Sequence, residues 1–109
     1  MVGRRSFDAV TLTRLRAMPV GNAFCFLCIF FKRDSTYVPV KNALSQRWHV
    51  RTVRGEFEIL ATGVKWFDTR AQFGGGGAID LAMHLLGLSF VDAVKYLVAK
   101  EGVHGPDYS

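Results

Sequence analysis

The apolar positions run at helical period at both ends of the chain and alternate in its middle. From Asp8 to Ala17, Val10, Leu12 and Leu15 supply the apolar contacts of a short helix. Pro19 suits the first turn of a second helix, in which Val20, Ala23, Phe24, Leu27 and Phe31 share one face. Lys32-Arg33-Asp34-Ser35 closes it with a polar turn. Tyr37 to Val40 reads as a short strand. Arg47 to Val53 alternates cleanly, with Trp48 and Val50 on one side and Arg47, His49 and Arg51 on the other. Arg54-Gly55 is a hairpin turn, and Glu56 to Leu60 returns with Phe57 and Ile59 facing Trp48 and Val50. Glu56 and Glu58 then share the face of the basic row and partly neutralise it. Thr62-Gly63 turns into a third strand, Val64 to Asp68. Thr69 to Gly77 reads as a loop, Ala78 to Leu86 as a helix closed by Gly87, and Ser89 as the cap of a last helix reaching about Lys100.

These elements predict an α+β fold. A small antiparallel sheet of three to four strands packs with helices from both ends of the chain. Its 109 residues leave no room for two independent cores. The expected division is an N-terminal helical arm over 1–17, one domain over 18–102 and a frayed tail over 103–109. The chain is 50% hydrophobic and only 21% charged, which excludes intrinsic disorder. No apolar run reaches the roughly 18 residues that a membrane-spanning helix needs. Arg4-Arg5-Ser6-Phe7 faintly suggests a twin-arginine export signal, but Arg14 and Arg16 interrupt the approach to the apolar stretch. A cytoplasmic location without membrane contact is expected.

Charge changes the picture more. The net charge is +5, and it is segregated: residues 1–70 hold twelve Lys/Arg against five Asp/Glu, residues 71–109 two against four. An anionic partner is therefore expected on the first two-thirds, with nucleic acid the leading candidate. Arg47, His49 and Arg51, with Lys65 and Arg70 nearby, are the candidate phosphate ligands. Trp66 is the candidate base-stacking aromatic, but half of each strand must face the core, which favours a buried Trp66. Gly74, Gly75, Gly76 and Gly77 lead straight into a helix. They read either as a phosphate cradle or as a turn that lets strand and helix pack closely.

Other chemistries find less support. Gly77-Ala78-Ile79 lacks the Gly-Lys-Ser/Thr of a nucleotide P-loop, and no βαβ unit surrounds the glycines. Cys25 and Cys28 are spaced C-x-x-C among Phe24, Phe26, Leu27 and Ile29, which favours buried thiols over a metal or redox pair. Asp80 and His84 sit four apart on one helix, the spacing of a local hydrogen bond. No nucleophile has a base beside it in sequence, so neither catalysis nor a cofactor is expected.

The stretch GGGGAIDLAMHLLGLSFVDAVKYLVAKEG, Gly74 to Gly102, resembles the end of the zinc-binding domain of bacterial DnaG-type primases. In that family a C-x-x-C-G-x-G-G turn leads into an apolar helix, and L-S-F-x-x-A-V opens a second. Gly76, Gly77, Ile79, Asp80, Leu88, Ser89, Phe90, Ala93 and Val94 match that pattern. Upstream, YVPVKNALSQRWHV (Tyr37 to Val50) resembles the family's knuckle and first strand, so the likeness spans about residues 18–102. The family's four zinc ligands would fall at Val38, Lys41, Thr69 and Gln72, none of which binds zinc as Cys or His does.

The chain looks closer to a zinc-less variant at the N-terminus of plasmid and mobile-element proteins that carry a Toprim-type catalytic domain. Lys65, Trp66, Phe67 and Asp68 match the K-W-F-D of that variant. The resemblance implies a zinc-ribbon-like fold without zinc, in which Val38 takes a ligand's place in the core. It implies the recognition half of a primase-like protein without its catalytic half: a non-catalytic module for single-stranded DNA. A second expectation is a protein-interaction module docking on a primase, helicase or relaxase through Phe26 and Phe30. A third is a truncated remnant of such a protein.

Overall fold

The computed structural model describes residues 9–104. Two short helices, α1 (Ala9–Arg16) and α2 (Val20–Leu27), precede five strands: β1 (Phe30–Arg33), β2 (Gln46–Thr52), β3 (Gly55–Thr62), β4 (Lys65–Asp68) and β5 (Phe73–Gly76). Two helices follow, α3 (Gly77–Leu86) and α4 (Phe90–His104). The strands form one antiparallel sheet in the order β1-β2-β3-β4-β5. The fold is α+β as expected, with more strands than the alternation alone predicted.

The register divides the sheet into two faces. Trp48 lies opposite Ile59, Val50 opposite Phe57 and Ala61 opposite Trp66, and Val50, Ile59, Ala61 and Trp66 are buried. Against this face packs α3, an apolar helix whose Ala78, Ile79, Leu81, Ala82 and Leu85 are all buried. Phe24 of α2 and Ala93, Val94 and Leu97 of α4 complete the core. Burying such a Leu or Phe side chain stabilises the fold by about 2–3 kcal/mol. Leu15 of α1 is fully buried in the same cluster, and Arg14 pairs with Glu101 of α4.

Four local expectations are corrected. The second helix stops at Leu27, with Cys28 already extended, and Ile29 donates its N–H to the Arg51 carbonyl at 2.8 Å. Pairing of β1 with β2 outweighs continued helix here, and Phe31 reaches the Phe24 and Trp48 rings from a strand (centroids 6.1 Å apart in each case). Tyr37 to Val40 forms no strand. Pro39 has no N–H to give a ladder, and Asp34 folds its own turn by accepting from the Thr36 amide. Val38 is 76% exposed, so it does not replace a ligand in the core. Phe73 to Gly76, expected within a loop, is the edge strand β5.

The helix ends follow the sequence. Gly87 is left-handed (φ 69°) and donates to the Met83 carbonyl, while the Ser89 hydroxyl accepts from the Asp92 amide. Gly77 opens α3 at φ 88°, where a side chain would be strained, and donates to the Val64 carbonyl at 2.8 Å. No helix among the described residues is by itself long and apolar enough to cross a membrane. The expected helix start at Asp8, the export-like Arg4-Arg5 and the end of the tail lie outside the described residues; Val103 and His104 continue α4.

Candidate nucleic-acid interface

Strand pairing gathers the basic row on the face opposite the helices. Lys32, His49 and Glu58 form one cross-strand row, Phe30, Arg51 and Glu56 a second, and Arg47, Leu60, Phe67 and Gly74 a third. Lys65 joins through its pairing with Thr62 and Gly76. Arg70 lies in the turn after β4 and lines a small hollow with Phe30, His49, Arg51 and Glu56. The candidate cations Arg47, His49, Arg51, Lys65 and Arg70 are thus brought to one side of the sheet, and Lys32 adds to them.

Carboxylates temper this face. Asp34 accepts from Arg47 Nε and Nη2 at 3.0 and 2.8 Å, and its Oδ2 lies 3.2 Å from His49 Nε2. Glu58 stands 4.0 Å from both Arg47 and His49, and Glu56 stands 3.6 Å from Arg51. Hydrogen bonds from the Thr36 hydroxyl and amide, then from Arg47 and His49, hold the Asp34 carboxyl well below the usual range. The Asp34 bond in turn raises the Arg47 guanidinium. Arg47 also lies over the Tyr37 ring and Arg51 over the Phe30 ring, at 5.1 and 5.7 Å from the centroids. These rows leave Lys32, Lys65 and Arg70 without a carboxylate partner among the described residues.

One side chain of the expected site lies elsewhere. Trp66 is 3% exposed and points into the helix-facing side, so it offers no surface for a base. Its neighbour Phe67 is exposed instead, set between Leu60 and Gly74 on the cationic face, which Phe30 also shares. Strict alternation along β4 carries this signal. Phe30 and Lys32 carry no such signal as members of this face, because their spacing reads as the end of a helix and a polar turn rather than as a strand.

The glycines form no cradle. Gly74, Gly75 and Gly76 lie in β5, and the Gly76 N–H faces the Asp80 carboxylate at 3.4 Å, where a phosphate would meet a negative charge. Their smallness serves packing instead. A Cβ on Gly74 would come within 2.9 Å of the Trp66 carbonyl oxygen, and one on Gly75 within 2.9 Å of Trp66 Cζ2. A Cβ on Gly76 would meet nothing within 4 Å. Gly74→Ala and Gly75→Ala are therefore expected to cost about 1–3 kcal/mol each. Gly76→Ala should stay within about 0.5 kcal/mol of the parent. Urea midpoints of the three variants check this contrast.

The cysteines and phenylalanines of α2 also differ from expectation. Cys25 is exposed, and Cys28, half-buried at the end of the helix, has its thiol pushed up to about 12 by burial and by the nearby Cys25. That makes Cys28 a poor nucleophile. Phe26 packs against the core while Phe30 lies on the sheet's outer face, so the two build no common patch.

A second cluster, which no spacing along the chain signals, lies between β4, β5 and α3. Asp68, 2% exposed, accepts from the Arg70 and Ala71 amides at 2.9 and 3.0 Å and lies 2.7 Å from His84 Nε2. Burial alone would raise its pKa, but the His84 bond and the two amides outweigh it and hold the carboxyl low. The His84 ring stacks on Trp66 and on Phe73, with centroids 5.1 and 5.2 Å apart. Beside these rings a groove of about 390 Å³ opens between Trp66, Phe73, Gly75, Asp80 and Leu88.

Comparison with known proteins adds one relative. The chain is 44% identical over 103 aligned positions to the 65 kDa protein of Zymomonas mobilis subsp. mobilis. The match takes in 90% of this chain and 16% of that protein, so the chain spans about a sixth of the relative's length. No family model matches the chain. No solved structure matches it either.

Proposed function

We propose that this chain is a non-catalytic, cytoplasmic module that holds single-stranded DNA across the outer face of its sheet, and that it is related to the N-terminal domains of primase-like proteins of mobile elements. The observation that carries the reading is the joint display of Phe67 and of Lys32, Lys65 and Arg70 on a sheet face that the helices leave open. Cations track a phosphate backbone, and an exposed ring offers a stacking platform that tolerates any base. Arg47 and Arg51, already held by Asp34 and Glu56, present ordered guanidinium edges. A rigid duplex reaches a flat face less well than a strand whose bases can turn towards Phe67. The motif likeness to primase N-terminal domains and the presence of the same unit within a longer relative both favour a recognition module.

Fluorescence anisotropy with a labelled single-stranded oligonucleotide tests this, with a duplex control. Binding should weaken with salt at a slope of about −3 in log K against log salt, if four to five phosphates are contacted. Phe67→Ala should weaken it about tenfold while leaving the melting temperature within a few degrees. Absence of salt-sensitive binding at low ionic strength would overturn the reading.

A further inference from the structure

We propose that the groove between β5 and α3 is a docking site for an arginine-bearing extended segment of a partner protein, which adds to the open edge of β5. The inference does not depend on DNA binding by the other face.

Three observations converge there. First, β5 closes the sheet, and no strand among the described residues pairs with its far side. Edge strands are commonly blunted by charge, proline or a bulge, whereas Gly74, Gly75 and Gly76 put no side chain in the way of an incoming strand. Second, the groove is floored by aromatic surface: Phe73 is 54% exposed and lies against His84 and Trp66. Third, two polar groups meet at Gly75. Asp80 Oδ2 and Trp66 Cε2, the atom that bears the indole nitrogen, both lie within 3.3 Å of the point where a Gly75 Cβ would stand. The Trp66 indole N–H is buried without an acceptor, and Asp80 has no cation beside it among the described residues.

The chemistry selects the occupant. A guanidinium is planar, stacks on aromatic faces and donates two parallel bonds to a carboxylate, so arginine answers Phe73 and Asp80 together. A nucleic-acid phosphate is disfavoured by Asp80 and by the acidic excess of residues 71–109. A second copy pairing β5 with β5 would bring two Asp80 carboxylates towards one another.

The isotope-labelled full chain titrated with the capped pentapeptide Ser-Val-Arg-Val-Ser tests this by NMR. Saturable shifts are expected at the Trp66 indole N–H and at the Gly74, Gly75 and Gly76 amides. Asp80→Asn should weaken binding about tenfold, as should lysine for arginine in the peptide. Phe73→Ala, at an exposed position, should weaken it comparably and guards against a folding effect of the first variant. Shifts that are absent, confined to the β1–β3 face or unchanged in Asp80→Asn would overturn the proposal. So would shifts produced by a single-stranded oligonucleotide in place of the peptide, or by self-association of the chain alone.

Discussion

Asp68→Ala is expected to remove about 3 kcal/mol of folding stability, which for a chain of this size lowers the melting temperature by about 15 °C. The buried carboxylate satisfies the Arg70 and Ala71 amides and the His84 ring, and alanine leaves all three facing an empty site. An unpaired buried donor costs its full desolvation, whereas an exposed one returns to water. The effect carries a pH signature. Because the folded-state pKa of Asp68 is depressed, its stabilisation is present above the unfolded value of about 3.9 and is lost as pH falls through the folded value. Thermal melts of parent and variant should therefore differ most at neutral pH and converge in acid. A gap that persists unchanged below about pH 3 would show that the carboxylate charge is not what matters.

The same turn shows where sequence reasoning reaches and where it stops. The two faces of β2 and β3 were legible because side chains of opposite character alternate along both strands. Phe57 falls opposite Val50 and Glu58 opposite His49 as the pattern requires. Gly87 and Ser89 were legible because cap chemistry is local. β5 was not, since a run of glycines has no side chains to show a period. Its strand conformation shows only in its pairing with β4, where Gly75 lies over the Trp66 ring. Phe31 fits a helix face and a strand equally well by spacing, and only its pairing with Val50 across β1 and β2 decides between them. Asp68 and His84 stand sixteen residues apart and meet because β4 and α3 cross, which no spacing rule encodes. The charge row was read correctly as a row, but Asp34, placed by a turn outside the strands, tempers it more closely than the cross-strand glutamates do.

Trp66→Ala is expected to cost about 4 kcal/mol, enough to unfold much of the population of a marginally stable domain. The indole lies beneath Gly75, stacks on His84 and lies near Phe73, with its ring centroids 5.1 and 6.0 Å from theirs. Losing it opens a cavity at the junction of β4, β5 and α3, where Asp68 and His84 also depend on tight packing. Trp66→Phe refills most of that volume and removes an indole N–H that has no acceptor, so it should recover more than half of the loss. The adjacent Phe67→Ala belongs to the opposite face. It removes a side chain already 37% exposed and should leave stability nearly unchanged while weakening oligonucleotide binding. Measured together, urea midpoints and anisotropy separate the two aromatics. Stability lost at residue 66 and affinity lost at residue 67 would place the stacking surface on the sheet's outer face. Equal loss of affinity in a folded Trp66→Phe variant would instead move the nucleic-acid contact to the β5 groove.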